Sequence, residues 1–134
     1  MSIEGLISIQ SRFAAKETMD RLEAALRANG VSIFARIDHA AGAAAVGENL
    51  RPTEVLIFGN PRAGTPLMQA QQTIGIDLPL KVLVWQDAMG VVRLSYNDPK
   101  WLAQRHGLGS KGAETVARLA AMLKTLTGEA APPP

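Results

Sequence analysis

One run, LKVLVWQDAMGVVRLSYNDPKWLAQRH (80–106), constrains the chain more than any other. Two stretches rich in β-branched and aromatic residues flank Ala88-Met89-Gly90, and the glycine suits a tight reversal between antiparallel strands. Asp98 and Pro99 then supply an N-cap and a first-turn proline, and Gly107 supplies the stop of the short helix between them. The unit predicted is strand, turn, strand, helix. It delivers Tyr96, Asn97, Asp98 and His106 to one corner, more polar chemistry than a structural hairpin requires.

The rest of the chain builds around that hairpin. Residues 5–11 alternate Leu6, Ser8 and Gln10 against Ile7 and Ile9, the period-2 sign of a strand. A helix is predicted over 14–29, with Ala15, Met19, Leu22 and Leu26 on one stripe and Glu17 four residues before Arg21 on the other side. Gly30 ends it. A second strand covers 31–38, and 53–58 forms a third. Residues 39–47 (HAAGAAAVG) are balanced between short helix and loop because two glycines interrupt the alanines. Thr65 and Pro66 read as the cap and first position of a helix to about residue 72, and TIGIDLP leads into the hairpin. The last helix spans 113–127 with Gly128 as its stop. The organisation expected is one domain over 1–128 with a flexible Ala/Pro tail at 129–134.

Strands with segregated helices define an α+β class: a mostly antiparallel sheet of about five strands with helices on one face. Val55-Leu56-Ile57-Phe58 and Val82-Leu83-Val84-Trp85 are apolar at both parities, so both sheet faces call for cover. Helices on one side leave the other face for a second subunit.

Composition narrows the function classes. The 134 residues are 47% hydrophobic and 19% charged, the balance of an ordinary globule. There is no cysteine, which removes disulfides, thiolate nucleophiles and cysteine metal clusters. The start MSIEGLISIQ lacks a basic segment followed by a long apolar run, and nothing approaches the roughly 20 apolar residues of a membrane helix. A cytoplasmic location with no membrane partner is expected. A net charge of +2 with scattered Arg and Lys, and only two Trp, one Tyr and three Phe, argues against nucleic acid.

Candidate site residues fall into three groups. Asp38-His39 and His106 hold the only two histidines, each directly after a secondary-structure element, where an aspartate can orient one imidazole for proton transfer. Asn60 begins GNPRAGTP, in which Arg62, Gly64 and Thr65 form a weaker anion-binding candidate at a helix start. The phosphate-loop lysine is missing, so nucleotide hydrolysis by that machinery is excluded. Asp77 in GIDLP and Tyr96 complete the set; Asp77 is a carboxylate for the His39 side of the site, and Tyr96 has a competing place in the core. Two histidines without HisxxxHis spacing are a poor metal set, and no cofactor fingerprint or GxSxG elbow is present.

The segments IDHAAGA (37–43), PTEVLIFGNPRAGTPLMQ (52–69), GIDLPLKVLVWQD (75–87) and LSYNDPKWLAQRHGL (94–108) resemble the domain of unknown function 302 family. That resemblance implies a small α+β fold of the TATA-binding-protein-like type, commonly dimeric in bacterial and archaeal proteins, and no established activity. The reading that follows is a cytoplasmic homodimer binding a small polar or anionic ligand without a cofactor. Its site would lie where the loops after the second and third strands meet the Asn97–His106 corner. Two alternatives stand beside it: an enzyme with a histidine general base at that site, and a structural dimer with no ligand.

Overall fold

The computed structural model describes residues 2–134. Strands β1 (Leu6–Ser11), β2 (Ser32–Asp38), β3 (Thr53–Gly59), β4 (Leu80–Gln86) and β5 (Val92–Asn97) make one sheet in the order β1-β5-β4-β3-β2, every neighbour antiparallel. The helices are α1 (Ala15–Ala28), α2 (His39–Ala45), α3 (Pro61–Ala70), α4 (Pro99–Arg105) and α5 (Ala113–Ala130), with a 3-10 helix at Gln72–Asp77. The predicted α+β class is the observed one.

One sheet face carries the main core. Leu56, Phe58, Val82, Val84 and Leu94 are fully buried beneath Met19, Leu22 and Leu26 of α1 and Leu123 and Leu126 of α5. Strand alternation and the α1 stripe therefore meet as read. A second cluster joins Leu67, Ile74, Leu102, Leu108 and Val116, pinning α3, the 3-10 helix and α4 to α5.

The opposite sheet face has no helix over it among the described residues. Val55, Ile57, Leu83 and Trp85 are half-buried there, and Ile37 is 43% exposed. Three of its side chains bond one another: the Ser8 and Ser95 hydroxyls lie 2.6 Å apart, and Trp85 Nε1 donates to Ser95 Oγ at 2.8 Å, while Lys81 stands beside Ile57 on the same face.

Three local expectations are corrected, and the open reading of residues 39–47 is decided. α3 starts at Pro61, with Asn60 as its N-cap, instead of at Thr65. Asn60-Pro61 is the same cap-plus-proline signature as Asp98-Pro99, and Pro66 sits inside the helix at the loss of one hydrogen bond. Residues His39–Ala45 are helical, capped by Asp38, whose Oδ1 accepts from the Ala41 N–H at 2.9 Å. Gly128 does not end α5, which runs to Ala130; Ala130 and Ala131 are buried, so the packed domain extends past 128. Arg21 leaves Glu17 and instead donates to the Ala130 and Glu129 carbonyls at 3.1 and 3.2 Å, stacking on Phe13 at 4.3 Å. Two carbonyls freed at a helix end and an aromatic face outbid one exposed ion pair.

Candidate functional site

Antiparallel pairing decides which loops can meet. Phe58 lies opposite Leu80, so the end of β3 and the start of β4 share one end of the sheet with the start of β2 and the end of β5. Asp38 lies opposite Glu54 at the other end. Seven-residue strands at about 3.3 Å per residue separate the two ends by roughly 20 Å. His39, exposed at the start of α2, and Asp38, occupied as its cap, are therefore not brought to His106, Asn60 or Asp77. Loops following consecutive antiparallel strands lie at opposite ends, so a site joining the loops after β2 and β3 is not formed.

At the β3–β4 end a cavity of about 430 Å³ opens between the end of α1, α3, Pro79 and α5. Val31, Met68, Leu78, Leu80, Leu119 and Met122 make its apolar walls. Side-chain polarity comes from Asn29, Asn60 and Thr65, and no acidic or basic side chain lines it among the described residues. Asn60 lines the cavity and caps α3: its Oδ1 accepts from the Arg62 N–H at 2.9 Å, a bond that does not use its amide nitrogen.

The same capping removes the anion site. The Arg62 amide is held by the Asn60 side chain, and the Ala63 and Gly64 amides donate to the Asn60 carbonyl at 2.9 and 3.1 Å. Pro61 has no N–H. Gly64 and Thr65 thus line the cavity as wall residues, and Arg62 is exposed outside it.

The aspartate beside His106 is Asp77. His106 Nε2 lies 2.5 Å from Asp77 Oδ2 and His106 Nδ1 lies 2.9 Å from Thr73 Oγ1. Arg105 NH1 donates to both Asp77 oxygens at 2.9 Å. In the neutral imidazole this arrangement has Nε2–H donating to the carboxylate and Nδ1 accepting from the threonine hydroxyl. The His106 side chain is 8% exposed and Asp77 13%. Thr73–His106–Asp77 has the order of a nucleophile, a base and its orienter. None of the three lines the cavity, although Gly75 and Leu78 of the same segment do. Thr73 was absent from the sequence reading, because nothing local links TIGID to the end of α4.

Tyr96 is a core residue, 4% exposed, with its hydroxyl beside Thr127. Burial, and next the charge of Asp98, push its phenol above the ordinary value of 10.0. It is the only tyrosine in the chain, so phenolate absorbance reports on it alone. The native ultraviolet titration is expected to rise later than that of the urea-unfolded chain, and coincident curves would contradict the burial. A raised folded-state pKa gives stability that is complete below pH 10 and lost as pH climbs through the native value. Tyr96→Phe should flatten that alkaline loss.

A charged network at the far end was also missed. Arg36 holds Glu54 through Nε and NH2 at 2.8 and 3.0 Å, with Asp20 at 2.8 Å and Glu23 at 3.5 Å from NH1. Glu54 is the main cause of the upward shift of Arg36, and Lys16, then Arg36, hold Asp20 below the ordinary carboxylate value. A bulge between Ile33 and Ala35 turns Arg36 to the helix-covered face, which simple alternation from Ile33 forbids.

A single antiparallel sheet with helices on one face, and a mainly apolar cavity at one end, define a small α+β domain. Residues 7–126 match the family described as "Domain of unknown function DUF302", and the chain belongs to that family. Similar curated proteins are "Fluoride-specific ion channel FluC 1" of Brucella suis biovar 1 (strain 1330), 46% identical over 127 residues with 95% of this chain and 50% of that protein covered. "Fluoride-specific ion channel FluC 2" of Brucella melitensis biotype 1 (strain ATCC 23456 / CCUG 17765 / NCTC 10094 / 16M) is likewise 46% identical over 127 residues, covering 95% and 47%. The chain thus spans about half the length of these relatives. Among solved structures, an uncharacterized conserved DUF302 protein from Bacillus stearothermophilus superposes with a TM-score of 0.84 at 19% identity, covering 96% of this chain and 99% of that one. It shares the fold. No helix among the described residues is long and apolar enough to cross a membrane.

Proposed function

We propose that this chain is a small-molecule-binding domain that works as a homodimer in the cytoplasm. The observation that carries the ligand reading is the cavity of about 430 Å³ at Asn60, in the size range of small-molecule sites. A Cβ built on Gly64 meets only Leu78 Cδ1 at 3.7 Å and Met68 Cε at 3.8 Å, so Gly64→Leu extends a side chain into this space without a backbone clash. Titration with the uncharged dye N-phenyl-1-naphthylamine should give a saturable fluorescence rise with wild type. Gly64→Leu should weaken it at least about tenfold while melting no earlier, since leucine also improves helix propensity. Wild type with no saturable signal sinks the ligand reading.

The dimer reading rests on the open sheet face. Val55, Ile57 and Leu83 are apolar and the Ser8, Ser95 and Trp85 groups are already bonded, so a second copy can cover these residues without stranding their polar atoms. Light scattering should return twice the 14.3 kDa chain mass for wild type and the single mass for Ile57→Lys, with unchanged far-ultraviolet circular dichroism. A wild-type mass of one chain at tens of micromolar excludes the dimer.

The relatives suggest a setting. Conducting an ion needs a path across the membrane, and no helix among the described residues is built for that. The half of those proteins that this chain matches is accordingly read as a companion domain to a fluoride channel, with the cavity as its sensory or regulatory site.

A further inference from the structure

We propose that the cavity selects an uncharged, mainly aromatic molecule bearing one hydrogen-bonding group of the amide type, and rejects the corresponding carboxylate. This rests on the reading of the cavity as a ligand site and supplies the class of ligand. It replaces the polar or anionic ligand expected from the loop residues.

Three observations carry it. First, no ionisable side chain lines the cavity among the described residues. An anion entering it exchanges water for apolar walls without a countercharge, a cost that a neutral molecule avoids. The first-turn amides of α3 that would compensate are already bonded to Asn60. Arg62, the nearest cation along α3, does not line the space. Second, two of the walls are Met68 and Met122, and Phe34, 54% exposed, stands at the opening. Thioethers adapt to flat rings and attract their edges, and an aromatic ring at the mouth completes a slot for a planar body. Third, side-chain polarity is confined to Asn60, Asn29 and Thr65, and the two asparagines are half used. Asn60 spends its oxygen on Arg62 N–H, which leaves two N–H donors. Asn29 spends its nitrogen on the Ala25 carbonyl at 2.7 Å, which leaves an oxygen acceptor. Together they offer donor and acceptor, the complement of a carboxamide.

Naphthalene-2-carboxamide and 2-naphthoate have nearly the same shape and differ in charge at neutral pH, so calorimetric titration with each isolates the claim. The amide should bind at least about tenfold tighter than the carboxylate. Asn60→Asp keeps a capping oxygen for α3 and removes the donor, and should weaken the amide about tenfold with an unchanged melting temperature. A carboxylate that binds as tightly as the amide overturns the neutral-ligand inference and leaves the ligand site intact. The same division holds if the neutral dye binds but neither naphthalene compound does. Failure of dye and both compounds together removes the site itself.

Discussion

Alanine at position 5 is expected to lower the unfolding midpoint by roughly 10 °C. Gly5 has φ 78°, a left-handed conformation that costs an L-residue about 1–2 kcal/mol. The larger obstacle is Trp101. A Cβ on Gly5 falls 2.8 Å from Trp101 Cε2 and nearer still to Cδ2 and Cγ, against a rigid ring with no flexible end to move. Forcing the indole aside is an overpacking cost of about 1–3 kcal/mol. At about 2–4 °C per kcal/mol for a chain near this size, the sum gives the stated fall. Gly5 also accepts the Asp98 N–H at 2.8 Å, and Trp101 Nε1 donates to Glu4 at 3.3 Å. Displacing the indole therefore loosens α4 from the beginning of β1. Calorimetry checks the number; a midpoint within about 3 °C of wild type would mean that Trp101 has another seat.

Asp77→Ala is expected to remove about 2–4 kcal/mol of stability, measured by urea unfolding. The carboxylate is shared by His106 and Arg105, and the imidazole is nearly enclosed. Deleting it strands a buried N–H and leaves an arginine without its partner. Asp77→Asn should cost less, because an amide oxygen still accepts from Nε2–H. A loss below about 0.5 kcal/mol in the alanine variant would show that the array does not hold the 3-10 helix to α4. The asparagine variant also bears on the enzymatic alternative. If Thr73 is a nucleophile with His106 as base, wild type should hydrolyse p-nitrophenyl acetate above the solvent rate, and Asp77→Asn and Thr73→Ala should abolish that excess. No excess in wild type removes this alternative.

The elements whose signals are local were legible in the sequence. The hairpin at 80–97, the Asp98-capped helix ended by Gly107, and the α1 stripe all rest on periodicity and capping over a few residues. Asn60-Pro61 was equally legible and was passed over for Thr65-Pro66, although an asparagine cap before proline is the fuller signature. Gly128 misled because a glycine in a helix interior costs only about 1 kcal/mol, and the burial of Ala130 and Ala131 offsets it. Asn60, His106 and Asp77 were named as candidates from residue type and loop position alone, which carry no information on what each of them touches. His106 pairs with Asp77 across 29 residues and with Thr73 across 33, distances at which sequence carries no contact signal. The cavity was invisible for the same reason, since its walls come from four separate segments. The one error that topology alone corrects is His39: an antiparallel order sends it to the opposite end from His106.

Strand β1 has a single neighbour in the sheet, β5, and Ser8 meets Ser95 across 87 residues of chain. During synthesis the first strand of this domain has no backbone partner until its fifth strand has emerged. Strands β2, β3 and β4 can pair in turn as they appear, whereas β1 must wait, alternating Ile7 and Ile9 with polar residues in the meantime. Closure of that long loop is the late event of folding on this order of strands, and the entropy it removes grows only slowly with loop length. A fragment that stops before β5 lacks the strand that recruits β1, so the sheet passes from three paired strands to five only once Val92–Asn97 is available.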